Sequence, residues 1–454
     1  MNDKKMIEHH THKLAETIKR LLRRRAIGPL RKIVNKIHEG DLSFLFRFLS
    51  LSEQLTLFDL IKDKEKQGYI LSEIDRDTFL ALVKDMSTAV LIDIIENMPS
   101  DDAADLIDEL PPEKADAILE GMRKEESEEV EGLLKYQDKT AGRIMVTDFI
   151  ALKEDTTARD AIISLQKEYS DVEMPFYLYV VDEEGRLVGI CSLRQLVVVA
   201  PSTLLKSLMT KDVIYVQTKM DQEDVAKIVA RYNILAVPVT DDNKKLVGII
   251  TVDDVIDIIR EEATEDILKM VGAGEEFVET KSVFRSSRTR LPWLFVSCMG
   301  GLFAFYIIGI FEQALMQAAF LATFIPIIMG MGGNVGTQSS TIVVRGLATG
   351  RLHLRHFTTI VLKELSVGAV LGIFYGLLIG IVAHIRYAKW ELGLIVCIAV
   401  ISSISLAALI GSMVPLCLAK FRIDPAVATG PFVTTSIDII SVFLYFKLAT
   451  SYLL

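Results

Sequence analysis

The pattern of apolar and polar positions changes near residue 290. Beyond Pro292 the sequence contains five apolar stretches, each long enough to cross a bilayer as a helix of about 20 residues. They cover about 292–311, 314–344, 358–384, 392–419 and 426–448. Before residue 290, apolar residues recur at the spacings of amphipathic helices and short strands. The pattern predicts a soluble N-terminal part, a linker helix over 261–290 and a five-helix transmembrane domain over 291–454.

The first 138 residues predict helices. Residues 41–138 place apolar side chains three and four positions apart, as at Leu91, Ile94 and Ile95. Prolines separate units that repeat weakly at about a dozen residues, which favours a small helical superhelix. Residues 1–40 form a basic arm with one amphipathic helix. Its charged face fits either solvent or contact with acidic lipid or an acidic partner surface.

Residues 139–260 contain an internal repeat. The first copy begins IMVTDFIALK and the second begins LMTKDVIYVQ, with Met145 and Met209 in register, and an LVGI segment recurs later in each copy. Each copy predicts the order strand, helix, strand, turn, strand, helix. Neither copy can bury both faces of so short a sheet, so we expect the two to pack as a pair. The repeat resembles a tandem pair of α/β cystathionine-β-synthase-type (CBS) domains.

CBS pairs often bind adenosine nucleotides through a Thr or Ser and an Asp three residues later. The resemblance therefore implies a nucleotide site at Thr251 and Asp254, with ATP as a candidate ligand. The first copy has Ser192 but Gln195, which departs from that pattern. The alternative is that Thr251 only caps the helix that follows it. The sequence leaves both interpretations open.

Charge follows the same division as hydropathy. Of the 454 residues, the first 290 carry 55 Asp and Glu and 41 Lys and Arg, a net charge of −14, and the remainder carry +4. Basic residues favour one side of the predicted membrane helices, nine against three, which predicts a cytoplasmic N-terminus. The first residues lack the apolar core of a cleavable signal. Four cysteines without a CxxC pair indicate neither a zinc site nor a disulfide framework.

Two acidic regions in the soluble part are candidates for a cation site. From Asp93 to Asp138 there are 16 acids and 4 bases. The last helix of the second repeat carries several acids at helical spacing, among them Asp254, Asp257, Glu262 and Glu265. Two carboxylates about 6 Å apart repel by roughly 3 kcal/mol at an effective dielectric of about 20. A divalent ion relieves such repulsion, and oxygen ligands suit magnesium, calcium or manganese.

Asp438 lies almost in the middle of the last predicted membrane helix, with no Lys or Arg within one turn. A carboxylate near the bilayer centre costs roughly 3 kcal/mol, so such residues are functional candidates by default. The alternative is a protonated Asp that is hydrogen-bonded to a neighbouring helix. Asp424 precedes the same helix. If the helix begins near Ala426, the two acids lie about 18–20 Å apart, which suggests a cation route with one carboxylate at its mouth and one in its throat.

The second predicted membrane helix contains PIIMGMGGNVGTQSS, in which Pro326 and four glycines are expected to weaken the helix. Asn334 and its polar neighbours bring hydrogen-bonding groups to membrane depth, where irregular backbone is tolerated only if it is buried or lines a watery cavity. The alternative is close helix packing through Gly332-xxx-Gly336. Glycines every four residues in the third helix predict a packing ridge without chemistry.

The motifs PIIMGMGGNVGTQSSTIVVRGLATG and DPAVATGPFVTTSID, behind a helical domain and a CBS pair, resemble the MgtE family of bacterial magnesium channels. The resemblance implies a homodimer in the bacterial cytoplasmic membrane with a pore on the two-fold axis. It implies Asp438 at the selectivity site, Asp424 at the cytoplasmic mouth and Asn334 beside them. It also implies that cytosolic Mg²⁺ binds between the helical and CBS domains and that the linker helix closes the pore. The implied CBS-side ligands are Asp254, Asp257, Glu262 and Glu265, and our candidates in the helical domain are Asp101, Asp102 and Asp105.

Other functions fit the sequence less well or equally well. A transporter of Mn²⁺, Co²⁺ or Ca²⁺ fits the composition as well as one for Mg²⁺. An intramembrane metalloprotease needs HExxH, whereas His38-Glu39 is followed by Gly-Asp-Leu and lacks the second histidine. A membrane-anchored nucleotide sensor does not need Asp438. We expect a multidomain membrane protein that is not an enzyme, with divalent cations, membrane lipid and a second copy of itself as partners, and no nucleic acid.

Overall fold

Helices, two small sheets and long apolar helices succeed one another along the chain, so the predicted fold class is confirmed. The structure is a computed structural model and describes residues 2–167, 177–272, 283–428 and 430–452. It divides into two units, residues 1–262 and 263–454.

The N-terminal part of the first unit consists of short helices. They are α1 (Asn2–Arg23), α2 (Ile27–Val34), α3 (Glu39–Phe46), α4 (Leu51–Phe58), α5 (Lys64–Glu73), α6 (Arg76–Val83), α7 (Thr88–Ile95), α8 (Ser100–Glu109), α9 (Pro112–Gly121) and α10 (Lys124–Leu134). Local sequence explains where they begin: Ser50 and Glu53 form a capping box at α4, Asp75 accepts from Thr78 N at α6, and Pro112 stands in the first turn of α9.

Helices α1 and α2 belong to the packed helical domain. Ala15 and Ile18 of α1 and Leu30 of α2 are buried in the core of that domain. The basic side chains lie on the other face, where Arg24 and Arg31 are exposed. The apolar face of the predicted amphipathic helix therefore packs against protein.

Each repeat forms a three-stranded sheet in which the middle strand is parallel to the first and antiparallel to the third. The first repeat comprises β1 (Ala151–Lys153), α11 (Ala158–Lys167), β2 (Tyr177–Val181), β3 (Leu187–Ser192) and α12 (Leu193–Val198). After the short α13 (Leu205–Leu208), the second comprises β4 (Val216–Gln217), α14 (Gln222–Tyr232), β5 (Ala236–Thr240), β6 (Leu246–Thr251) and α15 (Val252–Met270). The predicted order of elements is confirmed in both.

Each repeat completes the sheet of the other. The segment 145–146 pairs with Ile249 of β6, and the segment 209–210 pairs with Ile190 of β3, through backbone hydrogen bonds of 2.8–3.1 Å. The methionine of each segment covers the glycine of the LVGI strand that it meets. The two methionines are equivalent, as predicted, and they serve opposite repeats. The repeats therefore pack as a pair.

The helical domain shares its hydrophobic core with the second repeat. Val225 and Val229 of α14 and Val237 of β5 belong to the same buried cluster as the apolar residues of the helical domain. The first repeat has a separate core around Leu178 and Val180. Helices α5 and α8 are therefore held against the second repeat, and this contact contains the candidate site described below.

The second unit contains, within the described residues, five helices long and apolar enough to cross a membrane. They are α16 (Val283–Ile310), α18 (Ile325–Ala348), α19 (Phe357–Tyr387), α20 (Trp390–Lys420) and α21 (Pro431–Tyr452), with the short α17 (Glu312–Gln317) after the first. A 3₁₀ turn over Pro425–Ala428 precedes α21. The assumption that this helix begins near Ala426 is wrong, because Asp424 Oδ1 accepts a hydrogen bond from Ala426 N and the chain turns there before Pro431.

The predicted linker helix is only partly present in the described chain. Helix α15 continues to Met270, and α16 begins at Val283. Residues 283–290 form one uninterrupted helix with the first apolar stretch, so they are not a separate surface helix. The remainder of the basic segment, 275–282, lies outside the described residues.

Helix α18 is continuous from Ile325 to Ala348, so the expected weakening by its glycines is wrong. The glycines instead permit close helix packing, the alternative interpretation. Gly336 lies against Ile437 of α21, and its carbonyl oxygen meets Gly411 of α20 so closely that a side chain at Gly411 would collide with it. The glycine ridge of α19, from Gly368 to Gly380, packs against the backbone of α20, as predicted.

Candidate functional site

Asp101 is a buried carboxylate of the helical domain that faces the second repeat. It lies in the first turn of α8 and is 9% exposed. Burial, followed by the charges of Asp254 and Asp102, raises the pKa of the Asp101 carboxyl well above its ordinary value. Its Oδ1 atom is buried and has no hydrogen-bond partner in the described part of the chain. An oxygen in this position, beside a second carboxylate, fits a cation ligand.

Contacts with the first residues of the repeat region hold α8 in place. The hydroxyl of Ser100 accepts hydrogen bonds from the backbone nitrogen and the hydroxyl of Thr147, at 3.1 and 3.0 Å. Arg143, which is 4% exposed, pairs with Asp105 at 2.9 Å. Asp101 is thereby fixed opposite α15. Asp105 has Arg143 as a partner in addition to the neighbouring carboxylates of Asp108 and Asp138, and this cation disfavours it as a metal ligand.

A second pair of carboxylates lies across the same contact. Glu73, the last residue of α5, is near Asp257 of α15, and burial followed by the charge of Asp257 raises the pKa of the Glu73 carboxyl. Asp257 also pairs with Arg260 at 2.7 Å. The helical domain and α15 therefore face each other with acidic side chains at two places.

Glu262 faces α14 within the second repeat. Its Oε1 accepts a hydrogen bond of 2.7 Å from Gln222, which is 5% exposed. Glu223 is the neighbouring acid, and burial raises the pKa of its carboxyl, with Glu262 adding to the effect and Lys227 opposing it. The predicted CBS-side residues Asp254, Asp257 and Glu262 thus each have another acid nearby.

Thr251 and Asp254 cap the start of α15. Asp254 Oδ2 accepts hydrogen bonds from the backbone nitrogen of Thr251, at 3.3 Å, and from its hydroxyl. In the first repeat, Ser192 and Gln195 form a capping box with a hydrogen bond in each direction. The capping interpretation accounts for both pairs. The nucleotide site at Thr251 and Asp254 stays a prediction.

Asp438 in α21 lies against the glycine-rich helix α18. A methyl group at Gly333 would be 3.9 Å from Asp438 Oδ1. Among the described residues, Asp438 forms no ion pair. The neighbouring Asn334 is exposed in the single chain, and so is Gln338 one turn later. The structure therefore places Asp438 beside Gly333, the residue that precedes Asn334.

The described residues contain no group of three or more His, Cys, Asp and Glu side chains arranged to hold a metal ion. The carboxylates come in pairs. Mg²⁺ keeps several of its waters and is usually bound by only one or two carboxylates. The pairs, and the unpartnered oxygen of Asp101, therefore fit a hydrated Mg²⁺ better than an ion that needs a full cage of protein ligands.

Comparison with known proteins agrees with this arrangement. The family described as MgtE, divalent cation transporter, matches residues 325–448, the MgtE intracellular N domain matches 37–139, and the CBS domain matches 141–201 and 205–261. A protein of Enterococcus faecalis named magnesium transporter MgtE is 40% identical over 417 residues, which cover 92% of this chain and 89% of the relative. A protein of Bacillus subtilis with the same name is 33% identical over 444 residues, 95% of this chain and 96% of the relative. The chain belongs to the MgtE family.

The soluble part of this MgtE chain resembles a solved structure. The cytosolic domain of the Mg²⁺ channel MgtE in complex with ATP is 32% identical, with a TM-score of 0.51, and the match covers 54% of this chain and 99% of that one. The family is described as one of divalent cation transporters.

The remaining predicted ligands of this MgtE chain, Asp424 and Glu265, lie together around a lysine. Lys269 pairs with Asp424 Oδ2 at 2.8 Å and also with Glu265. Burial lowers the pKa of the Lys269 ammonium, but its hydrogen bonds to Asp424 and Glu265 outweigh that effect and raise it above its ordinary value. Sequence reasoning missed Lys269, although a Glu four residues before a Lys on a helix is a recognisable signal. It also missed Glu73, for which no pattern in the sequence exists.

Proposed function

We propose that the protein conducts Mg²⁺ into the cell through a pore formed by two copies of the chain in the cytoplasmic membrane. Membership of the MgtE family and the names of its relatives support the cargo. The observation that carries the proposal is Asp438, a carboxylate in a membrane helix, beside Gly333 and without an ion pair in the described chain. Uncompensated charge at this depth is costly, so a cation is its natural partner.

The geometry favours a hydrated ion. Mg²⁺ sheds its waters reluctantly, and the absence of a side chain at Gly333 leaves space next to Asp438. The exposed Asn334 and Gln338 would be costly against lipid. A second copy packed on this face covers both residues and brings a second Asp438 to the same ion. The membrane potential then drives entry without a further energy source.

We infer that cytosolic Mg²⁺ regulates the pore at the contact between the helical domain and α15. Bound ions neutralise the carboxylates of Asp101 with Asp254 and of Glu73 with Asp257, which holds the arrangement seen here together. When Mg²⁺ falls, repulsion separates the acids and the pore opens. Glu262 and Glu265 belong to the same acidic helix and are further candidates. The ATP complex of the related cytosolic domain supports ATP as a ligand of the second repeat, at Thr251 and Asp254.

The test is Mg²⁺ flux into liposomes that contain the purified full-length protein, with an internal Mg²⁺ indicator. We expect Asp438→Asn to lower flux at least 100-fold. Glu391→Gln is the matched control, because it removes one carboxylate from an exposed position at the start of α20 and should leave flux within twofold of the wild type. Wild-type flux through a folded Asp438→Asn protein would overturn the proposal. Competition by Mn²⁺, Co²⁺ and Ca²⁺ in the same assay decides between Mg²⁺ and the alternative cargo.

A further inference from the structure

Lys269 makes an ion pair between parts of the chain that are far apart in sequence. Its ammonium lies 2.8 Å from Asp424 Oδ2, across a separation of 155 residues. Glu265, one turn earlier on α15, pairs with the same ammonium. The side chains of Lys269 and Asp424 are 32% and 37% exposed, and that of Glu265 is 15% exposed. The pair is therefore partly shielded from water, which makes it stronger than a fully exposed surface pair.

Asp424 is engaged on both of its oxygens. Oδ2 binds Lys269, and Oδ1 accepts a hydrogen bond of 2.8 Å from Ala426 N in the 3₁₀ turn that leads into α21. The lysine is thereby linked through one carboxylate to the backbone that enters the helix of Asp438. In this arrangement each oxygen of Asp424 already has a partner within the chain.

A second contact between the same segments does not depend on charge. The carbonyl oxygen of Met270 lies 2.6 Å from the place where a side chain on Gly430 would begin. Gly272, with φ of +71°, lies against Trp293 at the start of the first membrane helix. The end of α15 is therefore packed against the turn before α21 and against α16. Only glycine at position 430 leaves room for this approach.

Helix α15 connects this contact to the cation pairs described above. The same helix, Val252–Met270, carries Asp254 in its first turn and Lys269 in its last.

We propose that Lys269 is a built-in counter-ion that holds the mouth carboxylate Asp424 in the closed state and withdraws from it when α15 moves. The proposal rests on the proposed function, because it needs Asp424 to lie on the ion pathway. Lys269 is a positioning residue: it acts on permeation through Asp424 and not by touching the transported ion. With Lys269 in place, the charge of Asp424 is compensated and the turn before α21 is fixed. With Lys269 withdrawn, the negative charge of Asp424 is uncompensated and attracts an arriving divalent ion.

The experiment is the liposome flux assay, repeated over a range of Mg²⁺ concentrations on the cytoplasmic side. Lys269→Met keeps the length of the side chain and removes its charge. We expect the Mg²⁺ concentration for half inhibition to rise about fivefold, while maximal flux at low cytoplasmic Mg²⁺ stays within twofold of the wild type. Lys269→Arg should restore the wild-type midpoint, because it restores the cation.

Lys219→Met is the matched control. It also breaks a lysine–aspartate pair, with Asp242 at 2.6 Å, but on an exposed surface of the second repeat, and it should leave the midpoint unchanged. Gly430→Ala breaks the neighbouring contact without a charge change and should raise the midpoint in the same direction. An unchanged midpoint in Lys269→Met overturns the inference, whatever Gly430→Ala shows, while wild-type flux and its inhibition stand. Absence of wild-type Mg²⁺ flux overturns the proposed function itself.

Discussion

Asp101 and Asp438 are the same chemical group in two different surroundings. Asp101 lies in a water-soluble domain with Asp254 and Asp102 as acidic neighbours in its own chain. Asp438 lies in an apolar helix and has the backbone of Gly333 beside it. Under the proposed function, the regulatory pair of carboxylates is assembled within one chain, whereas the intramembrane carboxylate takes its second half from another copy.

Apart from the loss of Asp438 itself, the largest expected effect comes from filling the space beside that residue. Gly333→Leu places a side chain toward Asp438 Oδ1 and should lower Mg²⁺ flux at least tenfold, because it occupies the room that a hydrated ion needs. Gly330→Leu is the matched control on the same helix, since no atom lies within 4 Å of a side chain added there. Flux in liposomes measures both. Equal flux in the two variants would show that Gly333 does not line the ion pathway.

The second effect is expected at Asp101 in the helical domain. Asp101→Asn removes a buried charge, so it should stabilise the Mg²⁺-free protein at neutral pH and abolish most of the stabilisation by Mg²⁺. That stabilisation is about 1.4 kcal/mol when free Mg²⁺ is tenfold above its dissociation constant. Hydrogen exchange of α8 in the full-length protein, with and without Mg²⁺, measures it. Asp116→Asn, which removes an exposed acid, should leave the Mg²⁺ effect intact. An unchanged Mg²⁺ effect in Asp101→Asn would contradict a regulatory role for that residue.

The buried carboxyl of Asp101 also predicts that the stability of the folded protein depends on pH. Because the pKa of Asp101 is raised in the folded state, its contribution to stability is fully present below the ordinary Asp value of about 3.9 and is lost as pH rises through the raised pKa. Without Mg²⁺, exchange of α8 in the wild type, corrected for the intrinsic pH dependence, should therefore become faster toward neutral pH. Asp101→Asn should show a smaller change. Slower exchange of α8 toward neutral pH would exclude a buried carboxyl with a raised pKa at this position.

The smallest effect is expected at the second acidic pair. Glu73→Gln should reduce the Mg²⁺-dependent protection of α5 by about half, because Asp257 already has Arg260 as a partner at 2.7 Å and gains less from a bound ion. Hydrogen exchange of α5 reports it, with Glu65→Gln in the exposed first turn of the same helix as the control. Equal effects of the two substitutions would leave Glu73 without a special role.

The sequence was informative wherever a local pattern carries the structure. Apolar period, proline positions and the LVGI repeat predicted the helices, both sheets and the five membrane helices, because each depends on neighbours within a few residues. Asp438 was also recognised as a candidate in this way, because an acid within an apolar stretch is visible in the sequence alone. The glycines of α18 were misjudged because their effect depends on α20 and α21: Gly336 packs against both, and that packing outweighs its low helix propensity.

Pairing between distant residues could not be predicted. Asp101 was one of several equivalent acids in sequence, and only the shared core of the helical domain and the second repeat sets it against Asp254. Asp105 looked equally suitable until Arg143 was found beside it. Lys269 and Asp424 are 155 residues apart. Such contacts are products of tertiary packing, which one sequence without its relatives does not encode in a readable pattern.

The exchanged segments of the two repeats have a consequence for how the protein is made. The first sheet receives the segment 209–210 on β3 only after the ribosome has synthesised most of the connection to the second repeat. Until then its edge is uncovered and open to wrong partners. A nascent chain shorter than about 210 residues therefore cannot complete its first sheet. A translational pause before that point would prolong the exposure of the sheet edge and favour aggregation.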